Sequence, residues 1–221
     1  MMAFQKTSAK WFLAALSAPV LLCSNSQAVL VIAGVSDGDL SGGNPKAIII
    51  QAGAPVADLT QWGAGSANNG NGSNGEEFTF PAGSAAIGDV FVIAANADSF
   101  DFFANNFVQN FTLYLSSAAN INGDDAIELF NNGSVFDTYG DINVIGDGET
   151  WDYTDGYALR TGGGPGAFDQ ANYSSNAGAF DTLDEAQHVA IFAAVGFTPI
   201  PEPGSSALLA LALALTLRRR R

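Results

Sequence analysis

The stretch "DAIELFNNGSVFDTYGD" (125–141) holds two apolar runs on either side of Asn132-Gly133. That dipeptide tolerates the positive φ angles of a tight two-residue turn, so the stretch predicts a β-hairpin. Side chains alternate along a strand, which puts Ile127, Leu129 and Val135 on one face, the face expected to meet a core.

The neighbouring segments repeat the pattern. "VLVIAGV" (29–35) and "KAIIIQAG" (46–53) read as strands bounded by the turn-rich "SDGDLSGGNP". "EFTFPAG" (77–83) alternates Phe78 and Phe80 before Pro81 and Gly83 turn the chain. "GDVFVIAA" (88–95) is an unbroken apolar run, as expected of a strand buried on both faces. Helix signals are few. "ADSFDFFANNF" (97–107) predicts a short helix with Asp98 or Ser99 as N-cap and Phe100, Phe103 and Phe107 on one stripe. "TLDEAQHVAIFAAV" (182–195) reads as either a helix end or a final strand, and "GSANNGNGSNGEE" (65–77) reads as a loop. Many short strands and few helices predict an all-β sandwich, one domain of roughly 170 residues with a real core.

Charge excludes one class of partner. Of the 221 residues 22 are acidic and 8 basic, and the net charge is −14. All the acids lie between Asp37 and Glu202, where only Lys46 and Arg160 oppose them. A body this acidic repels phosphate backbones, so no nucleic acid is expected as partner. Solvated acidity keeps an extracellular domain soluble.

The two ends differ from the body. Lys6 and Lys10, the apolar "WFLAALSAPVLL" (11–22) and the small-x-small "SQA" (26–28) resemble a secretory signal peptide, 1–28, cleaved between Ala28 and Val29. The sole cysteine, Cys23, leaves with it, so no disulfide, thiolate metal site or cysteine nucleophile is expected in the mature chain. At the other end stand Pro201, Glu202 and Pro203, an apolar "ALLALALALTL" (207–217), then Arg218, Arg219, Arg220 and Arg221. This order resembles the PEP-CTERM sorting signal of Gram-negative envelope proteins, here 199–221. The resemblance implies secretion, membrane contact through a short C-terminal apolar helix before processing, and an exosortase as processing partner. Eleven helical residues span about 16 Å at 1.5 Å per residue, against a hydrocarbon core of about 30 Å. That length suits a transient handle for a processing enzyme.

The body, 29–198, carries a second resemblance. "GVSDGDLSGGNPKAIIIQ" (34–51), the stretch 58–94 and "NINGDDAIELFNNGSVFDTYGDINVIGDGETWDYTDGYALR" (120–160) look like a bacterial branch of the lamin tail domain family. Ile49 stands where that family usually carries Glu. The resemblance implies an immunoglobulin-like β-sandwich that binds or scaffolds. Secreted nucleases and phosphatases often carry this domain, and no such catalytic domain accompanies it here.

Catalytic chemistry finds no constellation to rest on. His188 is the only histidine, and it has neither a cysteine partner nor a "GxSxG" elbow, so a structural place at a strand edge is expected. "GGGPG" (162–166) lacks the Lys-Ser/Thr of a phosphate loop and reads as a turn. The pairs Asp124–Asp125 and Glu76–Glu77 read as solvated charge. Calcium is the cofactor these loops would suit, although none is required. Asp37 and Asp39 with Asn44, and Asp141 and Asp147 with Asn143 and Glu149, supply oxygens on glycine-rich loops. Trp151, Tyr153 and Tyr157 read either as core or as a surface for stacking sugars. The sequence thus predicts a non-catalytic adhesion or scaffolding module of the envelope or extracellular matrix. The alternative is a calcium-dependent or carbohydrate-binding module of the exopolysaccharide matrix, with extracellular polysaccharide or envelope proteins as partners.

Overall fold

A computed structural model describes residues 29–200; the expected signal peptide, 1–28 with Ala28 at its cleavage site, and the expected sorting signal from Pro201 onward, Arg218 to Arg221 included, lie outside them. The described residues form two sheets, and the chain is mostly β. Strands β1 (Val29–Asp37), β2 (Ala47–Ala54), β3 (Trp62–Ala67), β4 (Phe78–Thr79) and β5 (Val90–Ala94) come first. Helix α1 (Ala97–Asn106) leads to β6 (Thr112–Leu115), followed by β7 (Ala126–Asn131), β8 (Ser134–Tyr139), β9 (Gly156–Arg160) and β10 (Tyr173–Asn176). Helix α2 (Glu185–Ala194) ends the series. The six-stranded sheet has the order β10-β9-β1-β2-β5-β6, and the four-stranded sheet β4-β3-β7-β8.

The unbroken apolar strands are unbroken because the larger sheet is covered on both faces. In β2, Ile48 and Ile50 join the core between the two sheets, and Ala47 and Ile49 join a second core on the outer face. In β5, Phe91 and Ile93 face inward, and Val92 faces outward. The outer core is a phenylalanine cluster. Phe102, Phe103 and Phe107 from α1 and its end, Phe111, Phe180, and Phe192 from α2 close over the sheet. Phe103 and Phe192 meet edge to face with centroids 5.2 Å apart, a favoured aromatic geometry. Ile49 packs against this layer and is 6 % exposed, so a glutamate there would lose most of its hydration. No helix among the described residues is long and apolar enough to cross a membrane.

The architecture is therefore a sandwich with a helical third layer on one side. Its strand pairs are antiparallel except β5–β6, which are parallel. Parallel neighbours need a crossover, and α1 supplies it. That helix begins earlier than its sequence suggested: Asn96 is the N-cap, its side chain accepting from Ser99 N. Phe102 takes the buried place expected of Phe100, which is only half-buried. Residues 182–195 resolve as helix. Asp184 and Gln187 form a reciprocal capping box at the start of α2, satisfying two otherwise free backbone donors.

Two further expectations change. Residues 65–67 are not loop but the end of β3, a strand with every residue buried. Its glycines hid it: a Cβ on Gly65 would stand 2.1 Å from Gly75 O, so only glycine admits the returning chain. The hairpin 126–139 forms on Asn132 (φ 49°) and Gly133 (φ 72°), as its dipeptide predicts. Its register differs. The two-residue turn pairs Val135 with Phe130, on the face opposite Leu129, where Val135 is 50 % exposed, and a bulge at Phe136 then sets Asp137 opposite Leu129. Ile127 and Leu129 are fully buried, as expected.

Candidate functional site

The two cations of the body are both inside it. Lys46 sits at the start of β2, opposite the end of β1, and its Nζ donates to Asp37 Oδ1 at 2.5 Å. The same Nζ donates to Ile121 O at 2.6 Å and Asn122 Oδ1 at 3.2 Å, in the segment that enters β7 of the other sheet. Burial pushes the Asp37 carboxyl up to about 6, against the downward pull of Lys46. Arg160 in β9 donates from Nη2 to Asp137 Oδ2 and to the Tyr173 hydroxyl, and its guanidinium lies over the Tyr173 ring. The exposed charge between residues 29 and 200 is consequently carboxylate alone.

Several acids are structural rather than solvated. Asp125 is buried, accepting from Asn69 N at 2.8 Å and Asn122 N at 3.0 Å. Glu77 takes Ser66 N and Oγ at 2.9 and 3.0 Å. Glu128 is buried and takes the Ser73 hydroxyl. The expectation of Asp124–Asp125 and Glu76–Glu77 as solvated pairs therefore fails at Asp125, while Glu77 is exposed and also holds Ser66. Both stand where loops must be tied to strand ends.

The four carboxylates suggested as calcium ligands go separate ways. Asp37 is committed to Lys46, which removes it from a cation site. Asp39 is exposed and accepts from Thr182 N at 2.8 Å. Asp141 is exposed and closes a local turn through Asn143 N at 2.9 Å. Asp147 is exposed, and its charge reaches Asp124. Among the described residues no group of three or more His, Cys, Asp or Glu side chains is placed to hold a metal ion. The second loop nonetheless gathers charge. Burial raises the Asp124 carboxyl, and the charges of Asp125, Asp147 and Asp152 raise it further. Asp124 Oδ1 and Asn68 Oδ1 are both buried acceptors without a partner. Asn69 N reaching Asp125 Oδ1 brings their two loops together.

His188 lies on α2 rather than at a strand edge, and its role is structural. Its ring stacks on Phe180 with centroids 4.5 Å apart. Nε2 accepts from Asp39 N at 3.3 Å, and Nδ1 faces Asp184 O at 2.9 Å. Both ring nitrogens are thus occupied by backbone groups, leaving none for proton transfer to a substrate. The aromatic trio belongs to the cores. Trp151 and Tyr153 are buried between the sheets, where Tyr153 donates to Asp125 O at 2.9 Å. Tyr157 is half-buried against Phe180. Trp151 and Tyr153 therefore offer no free flat face for sugar stacking. "GGGPG" is a bend whose Gly164 O and Gly166 N serve Arg160 and Asp137.

An open groove of about 330 Å³ lies on the outer face of the larger sheet, between Ile49, Val90, Leu159 and Phe197. Its polar lining is Gln51, Asn110 and Arg160. The ion-paired cluster at Asp37, Lys46 and Asn122 was not foreseen from sequence. Its signal was available: an acidic body with a single lysine must either expose that lysine or neutralise it inside. Comparison with protein-family models, with curated proteins and with solved structures returns no match. What the described residues define is a two-sheet β-protein with a helical flank, in which both cations are ion-paired.

Proposed function

We propose that the chain is a secreted, exosortase-sorted protein of the envelope or extracellular matrix of a Gram-negative bacterium. Its lamin-tail-like, immunoglobulin-like body acts there as a non-catalytic adhesion or scaffolding module. One observation carries this reading. Residues 29–200 form two packed sheets with two apolar cores of their own, a self-contained body between the two segments of sorting character. Two packed sheets support the sandwich expected of the lamin tail resemblance, and occupied nitrogens on His188 support a role without catalysis. The test is deletion of the exosortase in a host that has one. Processed protein should give way to a larger, membrane-retained form. Identical size and location in both strains would refute the assignment.

A second reading, a calcium-dependent module, is favoured by the two unpartnered oxygens Asn68 Oδ1 and Asp124 Oδ1. Calcium takes oxygen ligands on bendable loops, and magnesium demands tighter geometry. Melting in millimolar calcium should then exceed melting in equal magnesium at fixed sodium chloride, and Asp124→Ala should abolish the preference. Equal shifts from both ions reduce the effect to screening.

A further inference from the structure

Lys46 is the only lysine between residues 29 and 200. Its amine is held at three points, by Asp37 Oδ1, Ile121 O and Asn122 Oδ1. The Lys46 and Asp37 side chains are 8 % and 6 % exposed. The amide carbon of Asn122 is one carbonyl bond, about 1.2 Å, from the oxygen that Nζ already touches at 3.2 Å. An amine and a carboxylate, both buried, therefore meet a primary amide at the edge of their pocket. From this geometry we infer that Lys46 Nζ and Asn122 Cγ join in an intramolecular isopeptide bond, formed by the folded chain with Asp37 carrying the protons.

The step balances without any co-reactant. Asp37 takes one proton from the Lys46 ammonium, leaving an amine with a free electron pair. That pair attacks Asn122 Cγ, and the carbonyl electrons move onto Oδ1. Asp37 returns its proton to Nδ2. The Cγ–Nδ2 bond then breaks as the carbonyl reforms, and ammonia departs with the bonding pair. The new amide nitrogen gives up its extra proton through Asp37 to the ammonia. The net change is ammonium plus primary amide to secondary amide plus ammonium ion, with Asp37 regenerated. Holding reactants together removes much of the entropic barrier to such a reaction.

The surroundings are arranged for it. Asn122 N is held by Asp125 Oδ2 at 3.0 Å, which fixes the backbone carrying the amide. A Cβ on Gly43 would stand 3.1 Å from Lys46 Nζ, and one on Gly123 would stand 2.9 Å from Asp37 Oδ2. Both positions leave the room the reacting groups occupy. Asn122 is itself exposed, so the departing ammonia has a path to solvent. The bond would tie β2 of the larger sheet to the segment entering β7 of the smaller one. It would clamp the sandwich covalently in a body that contains no cysteine. This inference stands independently of the sorting reading.

Mass spectrometry of the purified folded chain tests it. The expected mass is lower than the sequence mass by one ammonia, and digestion of the unfolded chain should release a branched peptide joining Lys46 to Asn122. Lys46→Arg and Asp37→Asn should each restore the full mass and the linear peptides. A full mass in the unaltered protein overturns the inference. So does a linear peptide that has lost ammonia at Asn122, because Asn122-Gly123 cyclising to a succinimide gives the same mass without a cross-link. A cross-link that persists in Asp37→Asn removes Asp37 from the step and overturns the mechanism.

Discussion

Arg160 Nη2 stands 2.5 Å from Asp137 Oδ2, joining β9 of the larger sheet to β8 of the smaller one. The pair also serves the backbone. Asp137 Oδ2 accepts from Ile32 N at 2.9 Å, and Arg160 Nε donates to Ile32 O at 2.8 Å. Ile32 borders the bulge in β1, ahead of the point where pairing with β9 starts at Gly34, so these side chains satisfy groups the ladder leaves free. Removing one partner strands a buried charge. Arg160→Met should lower unfolding stability by about 3–5 kcal/mol in urea titration. The double change Asp137→Leu with Arg160→Met should cost less than the sum of the single changes. A single variant within about 0.5 kcal/mol of the parent would mean the pair is solvated, as surface pairs are.

The hairpin offers a paired test of register. Leu129 is fully buried and Val135 half-exposed. Leu129→Asp should abolish cooperative unfolding, because burying an unpaired carboxylate costs several kcal/mol of a total near 5–15 kcal/mol. Val135→Asp should leave the melting temperature almost unchanged. Equal damage from both would place Val135 on the buried face beside Leu129 and contradict its pairing with Phe130.

These two strands show what a sequence reveals and what it withholds. The turn at Asn132-Gly133 was legible because backbone chemistry at positive φ is local. The bulge at Phe136 was not, because it answers to Asp137 reaching Arg160, a residue 23 positions away. β2 and β5 were legible as doubly buried strands, but what covered their outer faces was not. The phenylalanines of that layer are spread from Phe102 to Phe192, and no single window shows their convergence. The end of β3 looks like loop in the sequence because its glycines, which mark close backbone approach, resemble flexibility in a string of letters. The candidate site fared worse. Asp37 looked like a cation ligand by its neighbours in sequence, and its actual neighbour is Lys46, across a strand pair.

Stability should rise as pH falls from 7 towards 4, opposite to the usual acid denaturation. Burial lifts Asp37 from 3.8 to about 6, so the folded state holds its proton more tightly than the unfolded chain does. The cost of ionising it is absent below about 3.8, grows through the window up to about 6, and is complete above it. At about 1.4 kcal/mol per unit, the gain on acidification reaches roughly 3 kcal/mol. Asp124 and Asp155 are raised as well, chiefly by burial, and act in the same direction. Urea titrations from pH 4 to 7 should show the slope, and Asp37→Asn should flatten it. Stability that drops steadily over that range would contradict the buried placement of Asp37.

Trypsin should leave the folded body intact. Its only target side chains between residues 29 and 200 are Lys46, which the inferred cross-link removes as a target, and Arg160, 10 % exposed and ion-paired. Cleavage after Arg160 then requires opening of the fold, so its rate should follow unfolding and accelerate in urea. Rapid native cutting after Arg160 would show that it is accessible.

The central claim, a body sorted from both ends, is tested most directly by the termini of the mature protein. Mass spectrometry of peptides from envelope and extracellular material reads them. The account predicts a first residue at Val29 and a chain that has lost Arg218, Arg219, Arg220 and Arg221. A mature chain that keeps residues 1–28 or the four terminal arginines would contradict it.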